Sequence, residues 1–211
     1  MKIQKIGHCC LVIKTQGKTI LTDPGAYSEG QRSLLGIDIV LISHEHQDHF
    51  HIDSLKEVLK NNPQAKVVTN ASVGKLLDKE SIPYQVLENG QETTIDNLNL
   101  ESFGNTHAEI YKTIPRIQNT GYVISGRLCY PGDAFEKPKT QPEIIALPVV
   151  GPWMKISEAV DYAIALKPEF VFPVHDGFLK FPGPFYAMPK SQLEPHNIKF
   201  VTPEENQEME F

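Results

Sequence analysis

Cysteine is scarce in this chain. The 211 residues hold three, at positions 9, 10 and 129; the count is odd, and two are neighbours that cannot easily bridge to each other. This argues against a secreted disulfide framework and for a reducing, cytoplasmic compartment. A basic surplus is also missing. Lys and Arg number 20 against 26 Asp and Glu, a net charge of −6, so no domain-wide footprint for nucleic acid is present. No apolar run approaches the length of a membrane-crossing helix. The N-terminal apolar stretch is short and broken by Lys14, unlike a signal-peptide core. Repeats, low-complexity tracts and Gly/Ser/Pro linkers are absent as well. The chain therefore reads as one domain over 1–211, with a short, acidic, frayed tail over about 204–211.

The predicted elements are short and mixed. Residues 10–13 and 19–22 read as strands around Gln16-Gly17, stopped by Asp23-Pro24-Gly25. Residues 37–42 (IDIVLI) have the length and apolarity of a buried strand. Asp53 is a candidate N-cap for a helix carrying Leu55, Val58 and Leu59, ended by Asn61-Asn62-Pro63. Further strands are predicted at 66–69, within 86–101, at 144–150 and at 170–172, with a hairpin over 121–130 around Gly126. Helices are predicted at 71–79 and 156–166. Many junctions are hairpins rather than crossovers, which points to layered sheets with helices outside.

Histidine is what the chain does hold. There are eight, and residues 44 to 49 read His44-Glu45-His46-Gln47-Asp48-His49, directly after the predicted buried strand. Neutral imidazole and carboxylate are the usual ligands of zinc and related divalent ions. Strand-end loops are where a rigid scaffold presents such ligands. In an extended segment His44, His46 and Asp48 point one way and His49 the other, so one loop can feed two neighbouring ions. His107, Asp133 and His175 follow further strands. Singly, these could be a surface loop residue, a turn former and a core histidine. The repeated strand-then-ligand placement favours the metal reading.

In this order the residues resemble the metallo-β-lactamase fold superfamily, whose pattern is H-x-H-x-D-H, a lone His, a lone Asp and a final His. The matching positions are His44, His46, Asp48, His49, His107, Asp133 and His175. Gly7-His8-Cys9 and Leu21-Thr22-Asp23-Pro24-Gly25 are similar to a branch containing the ascorbate-6-phosphate lactonase-like proteins and small uncharacterised metal-dependent hydrolases. The likeness spans residues 3 to 176. It implies a four-layer αββα sandwich, mixed α/β sheets with helices outside, and a site at one edge of the two sheets. By matching positions, His44, His46 and His107 hold a first metal. Asp48, His49 and His175 hold a second, and Asp133 bridges them. Asp23 is either a carboxylate orienting a ligand histidine or a turn residue before Pro24. His8 reads as a strand residue or a support for the ligands, His51 and His196 as surface residues. The related flavodiiron oxygen reductases have H-x-E-x-D-H, so His46 and the lack of a following flavodoxin-like domain favour hydrolysis over redox chemistry.

Two divalent ions are implied, zinc first, with manganese or iron compatible with the mixed His/Asp set. Such a pair makes hydroxide available near neutral pH for attack on a carbonyl or phosphorus centre, with Asp48 and Asp133 orienting the water. No Ser, Cys or Lys nucleophile is required, and Cys9 and Cys10 take no reaction. The substrate is expected to be a small ester, lactone or phosphoester, with no membrane or nucleic-acid partner. Loop 108–120, with Tyr111, Lys112 and Arg116, and loop 176–188, with Phe178, Phe181, Phe185 and Tyr186, would flank the site. A cation there suits an anionic substrate, unless these side chains are merely solvated or packing. The alternatives are a phosphodiesterase or nuclease on the same ligands, a mononuclear iron oxygenase, or a non-catalytic scaffold.

Overall fold

Within the run at 37–42, residues 39–42 are buried on both faces, and this sets the layering. Ile39 and Leu41 face a second sheet, while Val40 and Ile42 face helices. A strand enclosed from both sides needs apolar residues at every position. The structure, a computed structural model, describes residues 1–204 and 207–211.

The first half contributes β1 (Lys2–Lys5), β2 (Leu11–Thr15), β3 (Lys18–Thr22), β4 (Ile39–Leu41), β5 (Lys66–Thr69) and β6 (Gln85–Val86), with helices α1 (Ile52–Asn61) and α2 (Ala71–Lys79). The second half contributes β7 (Glu92–Ile95), β8 (Leu98–Phe103), β9 (Gly121–Ile124), β10 (Leu128–Tyr130), β11 (Ile144–Pro148), β12 (Phe170–Val174) and β13 (Lys199–Phe200). Its helices are α3 (Ile156–Leu166) and α4 (Gly183–Leu193), and β14 (Glu208–Glu210) closes the chain. One sheet runs β14-β1-β2-β3-β4-β5-β6 and the other β13-β12-β11-β10-β9-β8-β7. In each, three antiparallel pairings are followed by three parallel ones.

Three apolar layers hold these parts together. Ile13, Leu41, Tyr122, Ile144 and Phe172 fill the space between the sheets. Leu55, Val58, Val73 and Leu77 of α1 and α2 cover the first sheet. Ala159, Val160 and Ala163 of α3 cover the second, together with Leu193 of α4. The result is the αββα sandwich. Among the described residues no helix is long and apolar enough to cross a membrane.

Three local expectations are corrected. Asp53 does not cap α1: His51 holds the N-cap position, and Asp53 lies in the first turn, where its charge still complements the helix dipole. Part of the predicted 176–188 loop is helical, because Pro184 in the first turn costs no hydrogen bond and starts α4 at Gly183. The acidic tail is not frayed over its described length. Glu208–Glu210 pair antiparallel with β1, Met209 is buried in the core, and Phe211 packs on Phe170 and Phe172. Alternation explains it, since Met209 faces inward while Glu208 and Glu210 face water. Residues 205–206 of that tail lie outside the described residues. Met209→Ala is expected to cost about 2 kcal/mol or more in urea unfolding, the usual penalty for truncating a buried methionine. A change within error would mean that the strand is not docked.

Candidate metal centre

The parallel strands β3, β4, β5, β10, β11 and β12 end on the same edge, and their exits carry the chemistry. The segment after β4 is not extended. It folds into a turn in which the His49 and Phe50 N–H groups donate to the His46 carbonyl. His49 is thereby swung back, to 4.0 Å between its ring and that of His44, instead of pointing away. Gly25, after β3, permits this turn: a Cβ there would lie 1.8 Å from the Asp48 carbonyl oxygen.

All seven residues singled out above converge. Asp133 is central and buried. Its Oδ2 lies 3.0 Å from His175 Nε2, 3.3 Å from His107 Nε2 and 3.9 Å from His44 Nε2. Its Oδ1 lies 3.2 Å from His49 Nε2. Asp48 Oδ2 lies 3.5 Å from His175 Nε2 and 3.7 Å from His49 Nε2. His44, His46, His107 and Asp133 form one compact donor group. A second contains His49 and His175, with His8 and Cys9 beside them.

The outer hydrogen bonds decide which ring nitrogen is free. His107 Nδ1 donates to the Ala108 carbonyl and His175 Nδ1 to the Val150 carbonyl, each at 2.7 Å. His49 Nδ1 donates to Asp23 Oδ2 at 2.7 Å. His44 Nδ1 donates to Ser43 Oγ at 3.0 Å, and that hydroxyl passes its own proton to Asp23 Oδ2 at 2.6 Å. Four buried rings thus have Nδ1 protonated and Nε2 turned inward. Nε2 of His44, His49 and His107 and Oδ1 of Asp133 have no hydrogen-bond partner among the described residues. His49 Nε2 and Asp133 Oδ1 are close without the alignment of a hydrogen bond. Buried polar atoms left unpaired are costly. Lone pairs converging on one space are what a divalent cation satisfies, and imidazole and carboxylate are its ordinary donors. The residues therefore fit a metal.

The charge state agrees for His44 and His46. Burial and the neighbouring imidazoles hold His44 well below the ordinary histidine value, and His46 is lowered for the same reasons, leaving neutral lone pairs. Burial opposes a charge on His49, but Asp133 and Asp23 outweigh it and hold its pKa well up. Burial would likewise raise Asp48, yet the His8 hydrogen bond and the charge of His49 bring it to about 2.

Asp23 is more than a turn residue before Pro24, since it gathers buried donors from both sheets. It is fully buried at φ +36° and accepts from Ser43 N–H, Ser43 Oγ, His49 Nδ1 and Tyr130 OH at 2.6–2.7 Å. Sequence reading missed four supports. Ser43 links His44 to Asp23. Tyr130 reaches Asp23 from the other sheet. Asn70, N-cap of α2, holds the Ser43 carbonyl through its amide at 2.8 Å. Asn119 accepts the Asp133 N–H at 2.9 Å. None carried a motif; the one signal for Ser43 is its place next to His44. His196 is exposed as expected, whereas His51 is half-buried with Nδ1 2.9 Å from Ser54 Oγ. Cys9, Cys10 and Cys129 are free and buried.

Sandwich and donor cluster together define a metal-dependent hydrolase class. Residues 2–175 match the beta-lactamase superfamily domain model, and the chain belongs to that family. It is 34% identical over 184 residues to protein Rv0786c of Mycobacterium tuberculosis, 85% of either chain. It is 28% identical over 206 residues to a UPF0173 metal-dependent hydrolase of Methanosphaera stadtmanae, covering 87% of this chain and 86% of that one. Its fold is similar to that of a metallo hydrolase from the hyperthermophilic archaeon Ignicoccus hospitalis, at TM-score 0.77 and 22% identity, with 100% and 98% of the two chains covered.

Asp23→Ala is expected to destabilise the metal-free protein by about 3–5 kcal/mol in urea unfolding, because it strands buried donors. Asp23→Asn is not expected to restore it fully, since in either orientation the amide NH2 faces a donor, the Ser43 N–H on one side or the three groups that meet Oδ2 on the other. Metal affinity should fall by roughly 10–100-fold in both variants, measured by chelator competition.

Proposed function

We propose that the protein is a binuclear metal-dependent hydrolase of small esters or lactones. In this reading His44, His46 and His107 would hold one ion and Asp48, His49 and His175 the other, with Asp133 shared between the two. The observation that carries it is the set of buried, unpartnered Nε2 and Oδ1 atoms gathered around Asp133. The mixed imidazole and carboxylate set suits zinc, with manganese and iron also compatible. Such ions, when bound, supply Lewis acidity and a water acidic enough to lose its proton near neutral pH.

The chain's own groups would do the rest. Asp133, buried and short of donors, orients the attacking water from the centre of the site. Asp48, the more exposed carboxylate at 20%, faces the mouth and can hold a proton in transit to the leaving group. The Nδ1 anchors keep each ring from turning as charge develops.

Substrate choice falls to the loops. An open cavity of about 470 Å³ adjoins the site on the His107 side, bordered by Arg116, Phe135 and Trp153 together with Glu109, Glu136 and Glu158. Arg116 Nε is tied to the His107 carbonyl at 2.9 Å. One guanidinium against three carboxylates favours an uncharged substrate over the anionic one first expected. Exposed Tyr27, Tyr111 and Phe178 on the surrounding loops favour an acyl group with apolar surface.

Metal analysis of the purified protein should return two ions per chain. A panel of lactones, esters, thioesters and phosphodiesters, run with each metal, should show activity on the uncharged members. His46→Ala and Asp133→Ala should each reduce kcat/KM by more than the roughly 100-fold that loss of an outer partner costs. Unchanged activity in either variant would refute the site assignment. An inert panel beside a positive electron-donor assay would refute hydrolysis.

A further inference from the structure

His8 lies close enough to the centre to pass for an eighth ligand. It sits in the turn between β1 and β2, is fully buried, and its ring is 4.2 Å from that of His175. Donor atoms of His8, Cys9, His49 and His175 all lie within 4.8 Å of one another, an N₃S set of the kind that zinc accepts. Distance alone does not separate this set from one built on Asp48.

The hydrogen bonds do. The Gly177 N–H donates to His8 Nδ1 at 3.1 Å, so that nitrogen carries the lone pair. The proton of the neutral ring is then on Nε2, 3.2 Å from Asp48 Oδ2. To bind a metal through Nε2, the ring would have to carry its proton on Nδ1, facing the Gly177 N–H donor to donor. The four buried rings around Asp133 have the opposite arrangement: Nδ1 faces an acceptor in each, and Nε2 turns inward, unpartnered in His44, His49 and His107 and against Asp133 Oδ2 in His175. His8 is therefore built as a donor toward the site.

We propose that His8 is a positioning residue that holds Asp48 in place through its Nε2–H and ties that carboxylate to His175 across the two sheets. This rests on the two-ion reading above. The His175 N–H donates to the His8 carbonyl at 3.0 Å, so one residue grips both partners, through ring and backbone. Gly177 allows the close approach, since a Cβ there would lie 2.9 Å from His8 Cβ. Asp176 fastens the same segment by accepting from Lys5 Nζ and Tyr186 OH. Tyr27 and Phe178 pack at 5.5 Å from the His8 ring and keep water from it, which strengthens the bond beneath. Among the described residues His8 supplies the only hydrogen bond to the Asp48 carboxylate.

The test measures Zn²⁺ binding to the full chain by competition with a chromophoric chelator, in His8→Gln, His8→Asn and His8→Ala. Glutamine places an amide N–H near the position of Nε2, whereas asparagine mimics only Nδ1. The second ion should bind roughly 10–100-fold more weakly in the Ala and Asn variants and near normally in Gln, with the first ion little changed. Melting temperatures of the metal-free proteins serve as control. Equal weakening of both ions that tracks a lowered Tm in all three variants would overturn the proposal in favour of a packing role. Retention in Asn with loss in Gln would overturn it too. The Co²⁺-substituted protein should lack a thiolate-to-cobalt charge-transfer band; such a band, lost in Cys9→Ser, would establish the N₃S site instead. Asp48→Ala separates the two readings. If it leaves Zn²⁺ binding unchanged, the two-ion assignment fails and this proposal with it; if it weakens binding while His8→Ala does not, only this proposal fails.

Discussion

One buried carboxylate faces several imidazole nitrogens that have nothing else to bind, and the architecture around it serves that confrontation. Asp133 and the rings of His44, His49, His107 and His175 come from strand exits on both sheets. Each ring is held by its Nδ1 proton, on a backbone carbonyl for His107 and His175 and on the Ser43–Asp23 chain for His44 and His49. The inward direction of each Nε2 follows from those outer bonds. Nε2 of His44, His49 and His107 and Oδ1 of Asp133 have no hydrogen-bond partner among the described residues.

The two sheets reach this edge by the same route. Both run through three antiparallel pairings and then three parallel ones, and in both an aspartate follows the strand at which the parallel run begins. Asp23 follows β3, and Asp133 follows β10. One has become the hub of the outer hydrogen bonds, the other the hub of the donor cluster. Tyr130 of β10 joins them by donating to Asp23 from the opposite sheet. The site and the packing of the two halves are thus one problem: moving the sheets apart would break the support of His49 and His44 as well as the core.

The donor cluster and the cavity beside it are built from different parts of the chain. The metal-facing residues sit on strand ends that the core holds rigid. The loops over 108–120 and 176–182 carry the exposed Tyr111, Phe178 and Phe181 and the single guanidinium of the adjoining cavity. The balance of charge in that cavity differs from what loop composition suggested, because Lys112 does not line it and three glutamates do. A sum over a loop says little about which side chains turn inward.

What was legible in the sequence was periodic or contiguous. Burial of residues 39–42, the helix over 156–166, the strand-then-ligand spacing and the H-x-H-x-D-H run all act within a few residues, where local physics leaves its mark on the order of side chains. The αββα class and the seven convergent residues followed from these and from the family resemblance. What lay beyond reach depends on pairings over long stretches of chain. Met209 docks beside Ile3 across nearly the whole sequence, so an acidic stretch that looked frayed is a strand. The His46–His49 turn, and not an extended segment, brings His49 back, and it needs Gly25 to leave room. Sequence order determined which histidines and aspartates could form a metal site. Only the tertiary structure decided which nitrogen each histidine offers, because a tautomer is set by the group facing the other nitrogen, and for His8 that group lies 169 residues away at Gly177.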